Sequence, residues 1–255
     1  MAYNIIADPN CISLWRFEAG SMLTDAKGNN DLTYSNPAWQ PLEDTIVYKE
    51  GDCSAKWNEG DEEAYIIDDG DLSADFPLKD GGGKTTFSWV AWIYPHVEGD
   101  DHWLFGKMSL SYDFETLLFI NRYPSPTWGV YASGNETVSD IAAVDDVWQH
   151  VAVTYDGATD QLTIRVYNDS TKVTDSYQVT LSGGDVIVTG SQPWVVGPYY
   201  DLDWRIDELA VFDDVLTPAE IDEIRAGTFG EGGGGEEQTT GDGGGISTFF
   251  LGCPF

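Results

Sequence analysis

Basic side chains are scarce in this sequence: twelve Lys and Arg stand against forty-four Asp and Glu, a formal net charge of −32 over 255 residues. Such a field repels phosphate backbones, and no Lys/Arg cluster reverses it locally. Nucleic acid is therefore excluded as a partner and anionic membranes are disfavoured. An acidic surface also stays soluble in salty media and gathers divalent cations. Cysteine is almost as rare. Cys11, Cys53 and Cys253 form no CxxC and no Cys/His cluster, which argues against structural zinc. Free thiols are the first expectation and a Cys11–Cys53 bridge the alternative. Long apolar runs are missing too, and none approaches the roughly 18 residues of a membrane span. Met1-Ala2-Tyr3-Asn4 carries no basic stretch, and Asp8 and Pro9 interrupt the short apolar stretch after it, so no signal peptide is expected. The chain is then either a mature piece or a product made and assembled in a cytoplasm.

Aromatic residues, by contrast, are plentiful. Ten Trp and thirteen Tyr favour strands over helices. Short β-type runs recur between Gly, Asp, Asn and Pro clusters: 11–17, 45–48, 64–67, 87–94, 103–107, 116–121, 128–131, 148–155, 161–167, 172–180, 194–196 and 204–212. Residues 87–94 are apolar at nearly every position, as in a strand covered on both faces. Residues 161–167 alternate, with Leu162, Ile164 and Val166 on one face and Thr163 and Arg165 on the other. A dozen strands of both kinds predict two stacked antiparallel sheets. One helix is signalled over 218–226: Thr217-Pro218-Ala219-Glu220 is a capping box with Pro at the first helical position. Gly227 falls where a left-handed C-terminal residue is wanted.

Composition changes abruptly after residue 229. Residues 230–245 (GEGGGGEEQTTGDGGG) have no side chain that packs and read as a flexible linker. The apolar peptide 246–255 comes next, carrying Phe249, Phe250, Leu251 and Phe255. The expected organisation is a domain over 1–229, the linker, and an anchoring peptide. No internal repeat is present.

Four segments carry a family resemblance. Trp148-Gln149-His150-Val151-Ala152-Val153-Thr154-Tyr155-Asp156-Gly157 is similar to the strand and turn WHHVAVTYDG of laminin-G-like jelly rolls. Ile206-Asp207-Glu208-Leu209-Ala210-Val211-Phe212, followed by Leu216-Thr217-Pro218-Ala219-Glu220-Ile221, resembles their closing strand and helix. Phe87-Ser88-Trp89-Val90-Ala91-Trp92-Ile93 resembles an inner strand, and Leu14-Trp15-Arg16-Phe17 with Asp25-Ala26-Lys27-Gly28-Asn29-Asn30 resembles the opening segment. The matches occur in the family's order and span about residues 11–227. The resemblance implies an all-β, two-sheet antiparallel sandwich of the concanavalin A-like jelly-roll kind with one short C-terminal helix. It covers nothing of 230–255.

The same family includes glycosidases, whose two carboxylates line one strand face in an E-x-D-x-x-E or E-x-D-x-E pattern. That pattern is missing here. Asp113-Phe114-Glu115 lacks the third acid, adjacent Asp207 and Glu208 point to opposite faces of a strand, and the acids of 59–63 sit in a polar loop. No catalytic residue is expected, which implies a non-enzymatic role. His96 and His102 flank acidic residues 98–101, a group read as a solvated loop rather than a metal site, and His150 lies in a strand.

Many relatives hold a structural calcium where the opening and closing segments meet. By resemblance the ligands are Asp25, Asn30 and Asp207, Asp25 the firmest because the opening turn departs from the family's pattern. Simple alternation puts Asp207 on one face with Leu209 and Val211, and Glu208 with Ala210 and Phe212. One carboxylate must then be buried, and it needs a cation or strong donors. The alternative to calcium is an arginine partner: Arg16, Arg165 or Arg205. For a ligand face, Tyr199, Tyr200 and Trp204 in one loop are the sugar-stacking candidates, with 123–128 as a second loop; the opposing reading is that such rings are core.

These features predict a non-catalytic recognition or decoration module of a larger surface assembly, a phage virion or a cell-surface structure. The C-terminal peptide would dock on other protein subunits by adding a strand or filling a groove. A free-standing, calcium-dependent, lectin-like module that binds glycans is the alternative, and a glycoside hydrolase ranks third.

Overall fold

A computed structural model describes residues 5–36, 40–57, 64–96, 101–109, 113–122, 124–183, 186–197 and 203–227. Fifteen strands and one α-helix lie among them. The expected runs return as β1 (Cys11–Trp15), β5 (Tyr65–Ile67), β6 (Phe87–Pro95), β7 (His102–Met108), β8 (Phe114–Asn121), β9 (Thr127–Ala132), β11 (Gln149–Asp156), β12 (Gln161–Asn168), β13 (Val173–Thr180), β14 (Trp194–Val196) and β15 (Trp204–Phe212). Four more complete the sheets: β2 (Thr33–Tyr34), β3 (Leu42–Asp44), β4 (Ser54–Trp57) and β10 (Asn135–Ala142).

The strands form two antiparallel sheets. Sheet A runs β13-β12-β11-β6-β15-β4-β3, with β1 also paired to β15; sheet B runs β10-β9-β8-β7-β14-β5-β2. β6 is buried along almost its whole length, as its unbroken apolar run requires. β12 alternates: Leu162, Ile164 and Val166 enter the core between the sheets while Thr163 and Arg165 face outward. That core is unusually aromatic. Trp194 meets Trp15, Phe76, Phe105 and Trp89 within 6.0 Å, and Trp57 stacks on Trp204 at 4.6 Å. Rings of this size cover large apolar areas with few rotatable bonds, which suits a sandwich assembled from short strands.

A second apolar cluster lies outside sheet A, where the helix α1 (Pro218–Ala226) seats Ile221 and Ile224 with Leu216 against Leu14, Val90, Ala152, Ala210 and Phe212. The capping box is present: Thr217 Oγ1 accepts from the Glu220 amide, and the Thr217 amide donates to Glu220 Oε2 at 2.8 Å. Gly227 departs from expectation. Its φ of −76° is extended rather than left-handed, so the helix ends without the anticipated cap. No helix among the described residues is long and apolar enough to cross a membrane.

Two further expectations change. Residues 45–48 are not a strand. Asp44 Oδ1 accepts from the amides of Ile46 and Val47, both at 2.9 Å, and this turn leaves Ile46 88% exposed. Cys11 and Cys53 are free and buried. Cys11 belongs to the cluster outside sheet A and Cys53 to the core between the sheets, so a sheet separates them. Burial holds both thiols up at a pKa of about 12. Cys253 lies outside the described residues.

Candidate functional site

The opening turn is organised by one carboxylate. Asp25 Oδ1 accepts from the amides of Leu14 (2.8 Å) and Lys27 (2.9 Å), and Oδ2 from those of Asn29 (3.2 Å) and Asn30 (3.0 Å). Gly28, at φ +82°, lets the chain curl around it. Asn30 is equally engaged: its Nδ2 donates to Ser13 Oγ (2.7 Å) and Ser73 Oγ (3.2 Å), its Oδ1 accepts from the Ser73 amide (2.7 Å), and its carbonyl accepts from Trp15 Nε1 (2.9 Å). Four N–H donors fill Asp25's acceptor capacity. The pair therefore ties the opening segment to β1, and it does not fit as two legs of a calcium site.

Asp207 sits in a different network. A bulge decides its position: pairing of β15 with β6 slips between Asp207 and Ala210, and Glu208 takes φ +52°. Ile206, Leu209 and Val211 stay in the core between the sheets, and Ala210 and Phe212 keep the outer face. The extra residue thus breaks the simple alternation that would have grouped Asp207 with Leu209 and Val211. Asp207 is wholly buried nonetheless. Its Oδ2 accepts from the amides of Lys49 (2.8 Å) and Glu50 (3.0 Å), while Oδ1 has no partner among the described residues.

Next to it, Glu208 Oε1 accepts from Arg16 Nε at 3.2 Å, and Oε2 has no partner among the described residues. Of the three arginines considered, Arg16 thus meets Glu208 rather than Asp207, Arg205 meets Asp44 and Asp203, and Arg165 meets Asp222. Burial pushes both carboxyls well above the ordinary range. The Lys49 and Glu50 amides oppose this at Asp207, and Arg16 opposes it at Glu208. Of the three expected ligands, Asp207 alone keeps an open, buried oxygen. Among the described residues no three His, Cys, Asp or Glu stand together as a metal-binding group.

The expected ligand loop divides. Tyr199 and Tyr200 lie outside the described residues, as do Tyr123 of the second loop and the anchor residues Phe249, Phe250, Leu251 and Phe255. Trp204 is 1% exposed and faces the core, because β15 begins with Trp204 and Ile206 pointing inward. A sugar-stacking role for Trp204 is therefore replaced by a packing role against Trp57. Trp128 is likewise buried, with Nε1 donating to Gln149 Oε1 at 3.2 Å.

What β15 presents outward instead is Arg205. Its Nε donates to Asp44 Oδ2 (2.8 Å), its Nη1 to Asp203 Oδ1 (3.2 Å), and its guanidinium lies 5.3 Å from the Tyr94 ring. Trp148 meets Tyr94 edge-on at 5.4 Å, and His96 Nδ1 lies 3.3 Å from Asp146 Oδ1. This half-exposed rim of Tyr94, Trp148 and Arg205 is not among the sequence-based candidates. The two-residue period of a strand over 87–95 aims Tyr94 to the face opposite the core residue Ile93, but the nearly continuous apolar run gave no sign of which face stays open. Of the two histidines flanking 98–101, His102 is buried in β7, while His96 joins the rim.

Solved structures share this architecture. The chain resembles the binding domain of botulinum neurotoxin DC, solved in complex with rat synaptotagmin II (TM-score 0.58, 11% identity, 84% of this chain and 51% of that one). It resembles the binding domain of Paraclostridial mosquitocidal protein 1 similarly (TM-score 0.56, 14% identity, 84% and 51%). Trypanosoma rangeli sialidase is a third (TM-score 0.54, 12% identity, 86% and 33%). The chain thus spans about half of each toxin domain and a third of the sialidase, and at these identities the likeness is one of fold. No curated protein sequence matches it. The family model of the concanavalin A-like lectin/glucanases superfamily matches residues 68–222, more than half of the sequence, and the chain belongs to that laminin-G-like family.

Proposed function

We propose that this protein is a non-catalytic recognition module of a larger surface assembly, such as a phage virion or a cell-surface structure, attached to other subunits by its C-terminal peptide. The observation that carries this reading is a division of the chain. The apolar clusters of the described domain are built from residues between Ile5 and Ile224, whereas Phe249, Phe250, Leu251 and Phe255 come after sixteen linker residues, 230–245. Four large apolar side chains on a polar tether act as an anchor for a partner's groove or sheet edge, and the tether raises their local concentration. The fold-level likeness to two toxin binding domains agrees with recognition. The missing E-x-D-x-x-E or E-x-D-x-E sequence pattern argues against hydrolysis.

The test compares the full chain with a truncation after Thr228 by light scattering and electron microscopy. Full-length material is expected to form ordered oligomers or to co-assemble with its partner subunit, and the truncated form to remain monomeric with an unchanged melting temperature. Identical behaviour of the two forms removes the anchoring role.

A calcium-dependent, lectin-like module is the second reading, favoured by the open oxygen of buried Asp207 and by the rim of Tyr94, Trp148 and Arg205. In that reading Asp207 is the calcium ligand, while Asp25 and Asn30 hold the turn.

A further inference from the structure

One inward position of sheet B is held by a lysine. Lys107 on β7 pairs directly with Trp194 of β14 on one side and with Thr116 of β8 on the other, and Trp194 pairs in turn with Ile67 of β5. Directly paired residues project to the same side of a sheet, so Lys107 points where Ile67 and Trp194 point, into the core. Its side chain is 0% exposed. A short 3₁₀ turn, Asp69–Asp71, follows β5 and supplies the counter-charge. Lys107 Nζ donates to Asp69 Oδ1, and the Asp80 amide donates to the same oxygen at 3.2 Å.

An ammonium brings three donors, and among the described residues Nζ has this one acceptor. Beside it the polar groups are equally under-satisfied. Glu115 Oε1 accepts from the Gln192 amide at 3.1 Å, but Glu115 Oε2 and Thr116 Oγ1 are buried without a partner among the described residues. Burial lowers the pKa of Lys107 against the pull of Asp69, and raises that of Glu115 against the Gln192 amide and Lys107. The site thus disfavours charge on both. A buried ion pair also forfeits hydration that its mutual attraction does not fully return. Condensation of the pair would remove both charges at once. A neutral amide keeps a single N–H at the nitrogen, and the Asp80 amide already donates to the oxygen that would become its carbonyl.

We propose that Lys107 and Asp69 close an intramolecular isopeptide bond, a covalent tie between β7 and the turn after β5, with Glu115 relaying protons. In this step the ammonium passes a proton to the carboxylate and the freed amine lone pair attacks Asp69 Cγ. The Cγ–Oδ2 bond then breaks, and that oxygen departs as water with two protons taken from the nitrogen. Oδ1 stays as the amide carbonyl, and no oxidant or co-reactant is needed. Groups held in contact react at effective concentrations of about 10⁵ M or more, which favours in the fold a condensation that free amine and acid do not undergo in water. The inference is independent of the recognition reading.

The test is the intact mass of the full-length protein, read on the denatured chain. The expected mass is that of the sequence less one water, and a protease digest should yield one branched peptide joining the segment with Asp69 to the segment with Lys107. A full sequence mass with no branched peptide overturns the proposal. Lys107→Met and Asp69→Ala should each retain the water, a readout that holds whether or not the variant reaches the parent's melting temperature. A succinimide at Asp69-Gly70 would lose the same water, but it needs no Lys107 and reopens in mild alkali. Water loss that persists in Lys107→Met, or that alkali reverses, therefore overturns the proposal as well. Glu115→Gln should leave a larger uncondensed fraction in freshly made protein, and an equal fraction removes Glu115 from the step.

Discussion

Asp25 and Asp207 are the same side chain at nearly the same depth, 2% and 0% exposed, in two segments expected to share one ion. Asp25 receives three backbone amides from the turn that wraps around it and a fourth from Leu14 of β1; Asp207 receives two from a distant loop, and its Oδ1 has no partner among the described residues. Burial is therefore not what distinguishes a structural carboxylate from a candidate ligand. The number of donors aimed at it is. A local turn delivers several N–H groups to one point, whereas the carboxylate of a strand residue depends on whatever loop happens to cross it.

The comparison breaks most readily at Asp25. Asp25→Ala leaves four amides facing an apolar methyl, and we expect a loss of roughly 3–5 kcal/mol in urea unfolding. A loss below about 1 kcal/mol would mean that water replaces the carboxylate freely and that the turn is not organised by it.

His150 sharpens the contrast with a buried base. It is 2% exposed on the outer face of sheet A, with Trp92 at 5.1 Å. Burial, reinforced by Arg225, Arg165 and Lys49, lowers its pKa from 6.5 to about 3. Between those values the unfolded chain takes up a proton that the fold refuses. Its contribution to stability is thus complete above about pH 6.5 and declines as pH falls toward 3. By pH 4 the decline amounts to roughly 3 kcal/mol at 1.36 kcal/mol per pH unit. His150→Phe should flatten that slope in pH-dependent denaturation; an unchanged slope would place the sensitivity elsewhere.

Asp207→Asn gives a smaller effect of opposite sign to that at Asp25. Removing a buried, half-satisfied charge is expected to raise stability by about 1–2 kcal/mol in the presence of a chelator. The variant should also lose any rise in melting temperature that calcium produces in the parent protein. Destabilisation like that of Asp25→Ala would show that the two carboxylates are equivalent after all.

Much of the fold was legible because its signals are local. Thr217, Pro218 and Glu220 mark the start of α1 by chemistry within four residues, and alternation in 161–167 names the buried face of β12. Other elements carried weak or misleading signals. β10 is a half-exposed edge strand whose Asn, Glu, Thr and Ser resemble a loop. Residues 45–48 resemble a strand, yet Asp44 turns them with its own side chain. The candidate site was less legible than the fold. The rim of Tyr94, Trp148 and Arg205 comes from three strand ends far apart in sequence, and Trp204, chosen for its ring, is turned inward by the phase of its strand.

Hydrophobic period and turn chemistry alone thus determined the two sheets, the buried face of β12 and the capped helix, because each depends on residues a few positions apart. Tertiary structure decided the fate of individual polar groups. Asp207 depends on amides 157 and 158 positions away and on a bulge at Glu208 that no alternation predicts. Hydrogen-bond satisfaction and surface shape are set by which distant segments meet, and that information is spread over the whole packing rather than written in any one stretch of chain.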